Sequence, residues 1–571
     1  MISFRRFFVS SLTVAVIVLP PSNFAQQVQT TPMRSSSEAN VLVKAPAGTL
    51  EGRAEGSLRV FRGIPYALPP VGSLRWKPPR PMPRWNGIKK ATEFGSACFQ
   101  PQPTLSKIYV RGPKPMSEDC LTLNVWAPAG SHKAPVFVWI HGGSLLTGFG
   151  GDPMYNGSQM ASRGIVVVTI NYRVGVLGWL AHPELSKESP LQVSGNYGLL
   201  DQIEALRWVH HNIGAFGGDP SNVTIAGESS GGLSVTYLMA APSARGLFAK
   251  SIVQSTYMAT TPELKQGRFG LLPAEEVGAK LADALHMPNI AALRAMDGGT
   301  LTAVAVAEGF APSGTIDGRV LPRQLVEVFD RGEQAPVPLL TGFNSGEIRS
   351  LRILAPPPPA SAAEYEAIIR DRYADLADEF LRLYPSANLQ ESVLATTRDA
   401  FYGWSSMRLV EKQTALGVPS FLYFWDHGYP AADAAGLHGF HASEVPYVFG
   451  TFSGTPPLWP KNPDTEEEKT LSEAMTDYWT SFARTGHPTA KHGPAWPAFG
   501  SAGAYMNITD APHPSSCLLP GMYELTEEVV CRRRARGDQP WHWNVGIVSP
   551  KLPAQQAQCK QTQKCAASPE R

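Results

Sequence analysis

The stretch Val223–Gly232, VTIAGESSGG, places two serines side by side among glycines. A serine hydroxyl is a poor nucleophile at neutral pH and becomes a useful one beside an imidazole that a carboxylate orients. The pattern Gly-x-Ser-x-Gly occurs once, centred on Ser229, where an apolar strand-like run gives way to a helical one. A sharp strand-turn-helix at such a point presents a nucleophile, and it brings the residues two before and two after its centre almost into contact. Only very small side chains fit there. With Ser229 central those residues are Gly227 and Gly231; with Ser230 central they are Glu228 and Gly232, and the carboxylate has no room. Ser229 is therefore the expected nucleophile. Ser230 is expected to lend its backbone N–H to an oxyanion hole, a role indifferent to its hydroxyl.

In this topology the serine is followed by an acid and then a histidine. The chain offers Glu347 in TGFNSGEIRS, just past an apolar run, and two histidines, His438 and His441, in GLHGFHASEVPYVFG. The residues by themselves leave that choice open. Glu228, beside the nucleophile, either tunes the histidine or satisfies buried donors.

The elements that must hold these groups are legible as periodicities. VFVWI (Val136–Ile140) and GIVVVTINYR (Gly164–Arg173) are nearly continuous apolar runs, as strands covered on both faces require. Leu199, Ile203, Leu206, Val209 and Ile213 recur at three and four residues, giving a helix with one apolar stripe that ends at a glycine pair. VTIAGE, SIVQS, VPLLTGFN and SFLYFWDH continue the strand series. Ahead of them GTLEGRAEGSLRVFRGIPY alternates apolar and polar residues between glycines, the mark of short antiparallel strands. The reading is an α/β fold: a large, mostly parallel sheet flanked by helices, an N-terminal antiparallel portion, and helical insertions such as AAEYEAIIRDRYADLADEFLRLY.

The N-terminus, MISFRRFFVSSLTVAVIVLPPSNFAQQ, has a basic start, a short apolar stretch and a small residue at Ala25, which predicts a signal peptide over residues 1–25 and a secreted or periplasmic product. A polar leader over 26–40, the catalytic domain over 41–545 and a loose polar tail over 546–571 follow. After the signal there is no apolar run long enough for stable membrane insertion. Fifty basic against 48 acidic residues leave no broad nucleic-acid footprint, and the one dense run, RRRAR at Arg532–Arg536, reads as a solvated loop. Six cysteines without metal-type spacing favour disulfides in an oxidising compartment, with Cys559 and Cys565 a candidate pair in the tail. No motif calls for a cofactor or a metal, and oligomeric state is not encoded in any visible pattern.

Taken together, SEDCLTLNVW, HGGS, NYGLLDQIEALRWVHHNIGAFGGDPSNVTIAGESSGG, GFNSGE and HASEVPYVFG resemble the type-B carboxylesterase/cholinesterase family of the α/β-hydrolase fold, from about Gly48 to His487. The resemblance implies a serine esterase acting on small-molecule esters. It implies Glu347 as the acid, in a Gly-x-Asn-x-x-Glu motif with Gly342 and Asn344, and His441 as the base, since only His441 has the family's glutamate and glycine downstream, at Glu444 and Gly450. The implied oxyanion hole is formed by Gly143, Ser144 and Ser230, with Ser144 standing where the family usually has a third glycine. Cys98 and Cys120 match the family's first disulfide, and Ser255 a serine that supports the acid, although Thr256 replaces the usual glycine after it. Arg75 with Glu118, and Arg173 with Asp201, match its buried ion pairs. Between Cys98 and Cys120 there is no tryptophan, only Tyr109, so a preference for choline esters is not expected. Two rivals remain: a non-catalytic binding protein of the same fold, disfavoured because all three triad positions are filled, and a hydrolase of amides or carbamates.

Overall fold

The computed structural model describes residues 39–101, 106–500, 502–556 and 559. The expected signal peptide, the leader up to Glu38, and Cys565 lie outside them. The alternating N-terminal segment forms β1 (Asn40–Ala45), β2 (Gly48–Glu55) and β3 (Leu58–Pro65), with a short β4 (Ile88–Lys90) beside β2. Then follow β5 (Thr122–Pro128), β6 (Ala134–Ile140), β7 (Val166–Ile170), β8 (Gly218–Glu228), β9 (Lys250–Gln254), β10 (Leu339–Asn344), β11 (Ser420–Trp425), β12 (Ala504–Ile508) and β13 (Pro512–Ser516).

All belong to one sheet, in the order β1-β2-β3-β5-β7-β6-β8-β9-β10-β11-β12-β13. Pairing is antiparallel from β1 as far as β7, parallel from β7 through β12, and antiparallel again at the β12–β13 edge. Successive residues of the central strands feed two different cores. Val136, Val138 and Ile140 of β6 pack on one face, Phe137 and Trp139 on the other. Fully burying each large apolar side chain contributes roughly 2–3 kcal/mol, so the run is held from both sides.

The striped helix spans Tyr197–Asn212 and continues as a 3-10 turn to Phe216, where Gly217 at φ 88° ends it. On the opposite core lies the helix Glu466–Thr485, started by Thr465, whose hydroxyl accepts from Glu468 N–H, and ended by Gly486 at φ 79°. The insertion expected around AAEYEAIIRDRY is two helices, Ala362–Tyr373 and Ala377–Leu383, broken at Ala374 (φ 48°).

Two expectations are corrected. RRRAR is not a solvated loop: it closes the helix Met522–Arg536, and Arg532 and Arg533 are buried. The Arg532 guanidinium donates to both oxygens of Asp375 and to Glu528, because charges taken out of water need partners. Nor is the described part of the segment after Gly546, residues 547–556 and 559, loose. Leu552 is buried with its N–H donating to Arg372 O at 2.7 Å, and Cys559 pairs with Cys531 rather than with Cys565.

Candidate active site

β8 ends at Glu228 and the helix Ser230–Ala240 begins two residues later, leaving Ser229 alone in the turn at φ 59°, ψ −126°. A side chain at Gly227 would put its Cβ 2.5 Å from the carbonyl carbon of Gly231, and one at Gly231 would come within 2.1 Å of Ile140 O. Space therefore centres the turn on Ser229, as the glycine spacing predicts. Ser229 N–H donates to Gln254 O at 3.0 Å, tying the turn to the end of β9.

Glu347 follows the end of β10, His441 lies in the connection beyond β11, after the short helix Pro430–Ala434, and the structure brings them together. His441 Nδ1 meets Glu347 Oε2, whose second oxygen accepts from Asn344 N–H at 2.9 Å. Both residues are buried. The histidine loop is fastened from behind: Trp479 Nε1 donates to Gln254 Oε1, Gln254 Nε2 donates to Glu444, and Asn344 Nδ2 donates to Glu444 and to Phe440 O. Tyr109 OH donates to His441 O at 2.8 Å. Sequence reading used Glu444 only as a spacing mark and missed Gln254 and Trp479, which no local pattern distinguishes from core residues. His438 stands apart at the surface, between Asp433 (2.8 Å) and Asp426 (3.3 Å).

His441 Nε2 lies 3.0 Å from Glu228 Oε1, and no hydrogen bond joins it to Ser229 Oγ among the described residues. Catalytic contacts in an unliganded site are commonly loose in this way. Burial raises the Glu228 pKa to about 8, against the pull of His441. For His441 burial alone would lower the pKa, but the carboxylates of Glu228 and Glu347 outweigh it and raise it to about 9.

The turn after β6 faces the same serine. Gly143, Ser144 and Leu145 all have positive φ, at 107°, 58° and 57°. Gly143 O accepts from Leu146 and Thr147 N–H, whereas the N–H groups of Gly143 and Ser144 meet no acceptor among the described residues. Leu145 N–H donates to Ser230 Oγ at 3.0 Å. The Ser230 hydroxyl, to which the expected N–H role is indifferent, thus has a part of its own in tying the turn opposite. Ser255 is buried at φ 45°, but its hydroxyl has no hydrogen-bond partner among the described residues, so the expected polar support of Glu347 is not made.

Ser229, His441, Glu228 and the Gly142–Ser144 turn line a cavity of about 340 Å³. Arg75 pairs with Glu118 and Arg173 with Asp201 in the scaffold around it, and Cys98–Cys120 is bridged. Residues 39–519 match the model of the carboxylesterase family. The chain belongs to the carboxylesterase family. Among the similar proteins are the fumonisin B1 esterase of Sphingopyxis macrogoltabida, 35% identical over 84% of this chain and 88% of that one, and the para-nitrobenzyl esterase of Bacillus subtilis, 34% identical over 80% and 92%. A solved PNB esterase structure superposes with a TM-score of 0.73 at 31% identity, covering 83% of this chain and 97% of that one. This carboxylesterase thus has the α/β-hydrolase fold that its sequence blocks imply, and it hydrolyses carboxylic esters.

Proposed function

We propose that this carboxylesterase works through an acyl-enzyme built on Ser229, with His441 as base and Glu347 as acid. The Ser229 oxygen attacks the ester carbonyl while His441 Nε2 takes its proton. The tetrahedral oxyanion is held by the N–H groups of Gly143, Ser144 and Ser230. Collapse expels the alcohol, which takes the proton back from His441, and water repeats the cycle to release the acid. Glu347 fixes the imidazole tautomer and stabilises its cation. The observation that carries this reading is the pairing of His441 with Glu347 at the wall of the cavity onto which the strained Ser229 turn opens.

His441 must be neutral to accept a proton, so its raised pKa makes turnover climb as pH rises towards about 9. Ser229→Ala is expected to abolish phosphonate labelling and to cut ester turnover by about 10⁴-fold or more, while Ser230→Ala remains labelled. Labelling that survives in Ser229→Ala and vanishes in Ser230→Ala would overturn the assignment. Parallel assays with an anilide and a carbamate separate an esterase from a broader acyl hydrolase. The apolar N-terminal segment and the disulfides Cys98–Cys120 and Cys531–Cys559 support a secreted or periplasmic protein. No helix among the described residues is long and apolar enough to cross a membrane.

A further inference from the structure

The cavity above Ser229 has two unlike sets of walls. One is largely apolar: the Tyr402 ring meets those of Tyr257 and Phe401, with Leu351 and Leu354 also in this lining. The other is polar and cationic. Gln100 clamps Gly148 through both its amide atoms, and the next residue, Phe149, carries the Lys114 ammonium over its ring at 5.9 Å. Arg111 completes this wall, but its charge is spent, since both its Nε and Nη2 donate to Asp152. Asp152 is itself fixed by accepting from Met154 N–H. Glu228 and Glu347 face His441. Among the described residues Lys114 therefore has no carboxylate at ion-pair distance, although it is half-buried and its pKa is lowered by burial.

The Asp152 carboxylate still draws on the Lys114 ammonium from a distance, but its hydrogen bonds go to Arg111 and Met154. A half-buried ammonium on an aromatic face, without a carboxylate in direct contact, is an incomplete ion pair, and a carboxylate of the substrate would complete it at little further desolvation cost. We infer that Lys114 is a specificity-determining residue that selects esters whose acyl or alcohol half carries an anionic group, the other half lying on the aromatic wall. This inference rests on the Ser229 esterase reading. It also gives the missing tryptophan between Cys98 and Cys120 a counterpart, since a cationic wall repels the cationic alcohols that such a tryptophan would attract.

The test uses two matched pairs of esters. Mono-p-nitrophenyl glutarate against p-nitrophenyl pentanoate places the charge on the acyl side; 4-acetoxybenzoate against its methyl ester places it on the alcohol side. In at least one pair the anionic-to-neutral ratio of kcat/KM is expected to fall about tenfold in Lys114→Met, mainly through KM, and to persist in Lys114→Arg. In the wild-type protein the same ratio falls with added salt, a readout that does not depend on any variant folding. Ratios that ignore both the Met substitution and salt in both pairs overturn the inference. A wild-type protein that turns over none of the four esters overturns the esterase reading instead.

Discussion

At Ser229 (φ 59°) space leaves the backbone no alternative, whereas at Ser144 and Leu145 (φ 58° and 57°) hydrogen bonds, one of them from another element, do the holding. Side-chain-bearing residues at such angles each cost on the order of 1 kcal/mol or more, so both turns are strained. In the first the strain is enforced by packing: the β8 strand, the following helix and Ile140 close in until only hydrogen fits at Gly227 and Gly231. In the second, backbone hydrogen bonds to Gly143 O are joined by the Ser230 hydroxyl, which reaches from the helix after Ser229 to Leu145 N–H. The proposed nucleophile is thus set by shape, and the donors proposed to face it are set largely by hydrogen bonding. A turn held by shape tolerates no added atom, while a turn tied by several hydrogen bonds, Leu145 N–H to Ser230 Oγ among them, loses function by degrees.

The largest break in that contrast is expected from Gly231→Ala. Its methyl group would meet Ile140 O, and thermal unfolding should show a loss of about 3 kcal/mol or more, or no soluble protein. A variant as stable as wild type would mean that the turn yields. Next in size is Glu228→Gln, which changes the flank of the elbow without changing its volume. Removing a carboxylate that raises the His441 pKa leaves the imidazole neutral at lower pH. The rising limb of kcat/KM against pH should therefore move towards acid, and a limb that stays in place would show that Glu228 is electrostatically silent. The smallest effect is expected for Ser230→Ala, which removes one tie of the opposite turn. One neutral hydrogen bond is worth about 1 kcal/mol, so kcat should fall by about five- to tenfold with phosphonate labelling intact. A fall as deep as that of Ser229→Ala would erase the distinction between the two turns.

This contrast also explains how much could be read from sequence. The elbow was legible because its constraint is local: two glycines flanking one serine state the available space directly. The continuous apolar strand runs, the alternating N-terminal strands and the helix stripe were legible for the same reason, being patterns within short windows. The histidine was not settled by its residues, and His441 stood out from His438 only through the family resemblance; the structure gives the reason in Asn344, Glu444, Gln254 and Trp479, which come together from distant parts of the chain. The Ser230–Leu145 bond spans 85 residues and leaves no trace in either segment. Burial misled the reading of RRRAR, since a run of arginines looks solvated until Asp375 and Glu528 are brought to it. The partner of Cys559 was likewise unreadable, because spacing carries no information about which sulfur lies across the fold.

The chain of amides behind the histidine has a consequence for how the protein comes into being. Ser229 is made well before the midpoint of synthesis, yet the indole that anchors Gln254, and through it Glu444, belongs to residue 479. On the proposed roles of Ser229 and His441, a growing polypeptide can complete the turn of its nucleophile long before the helix Glu466–Thr485 is there to fix the loop of its proton acceptor.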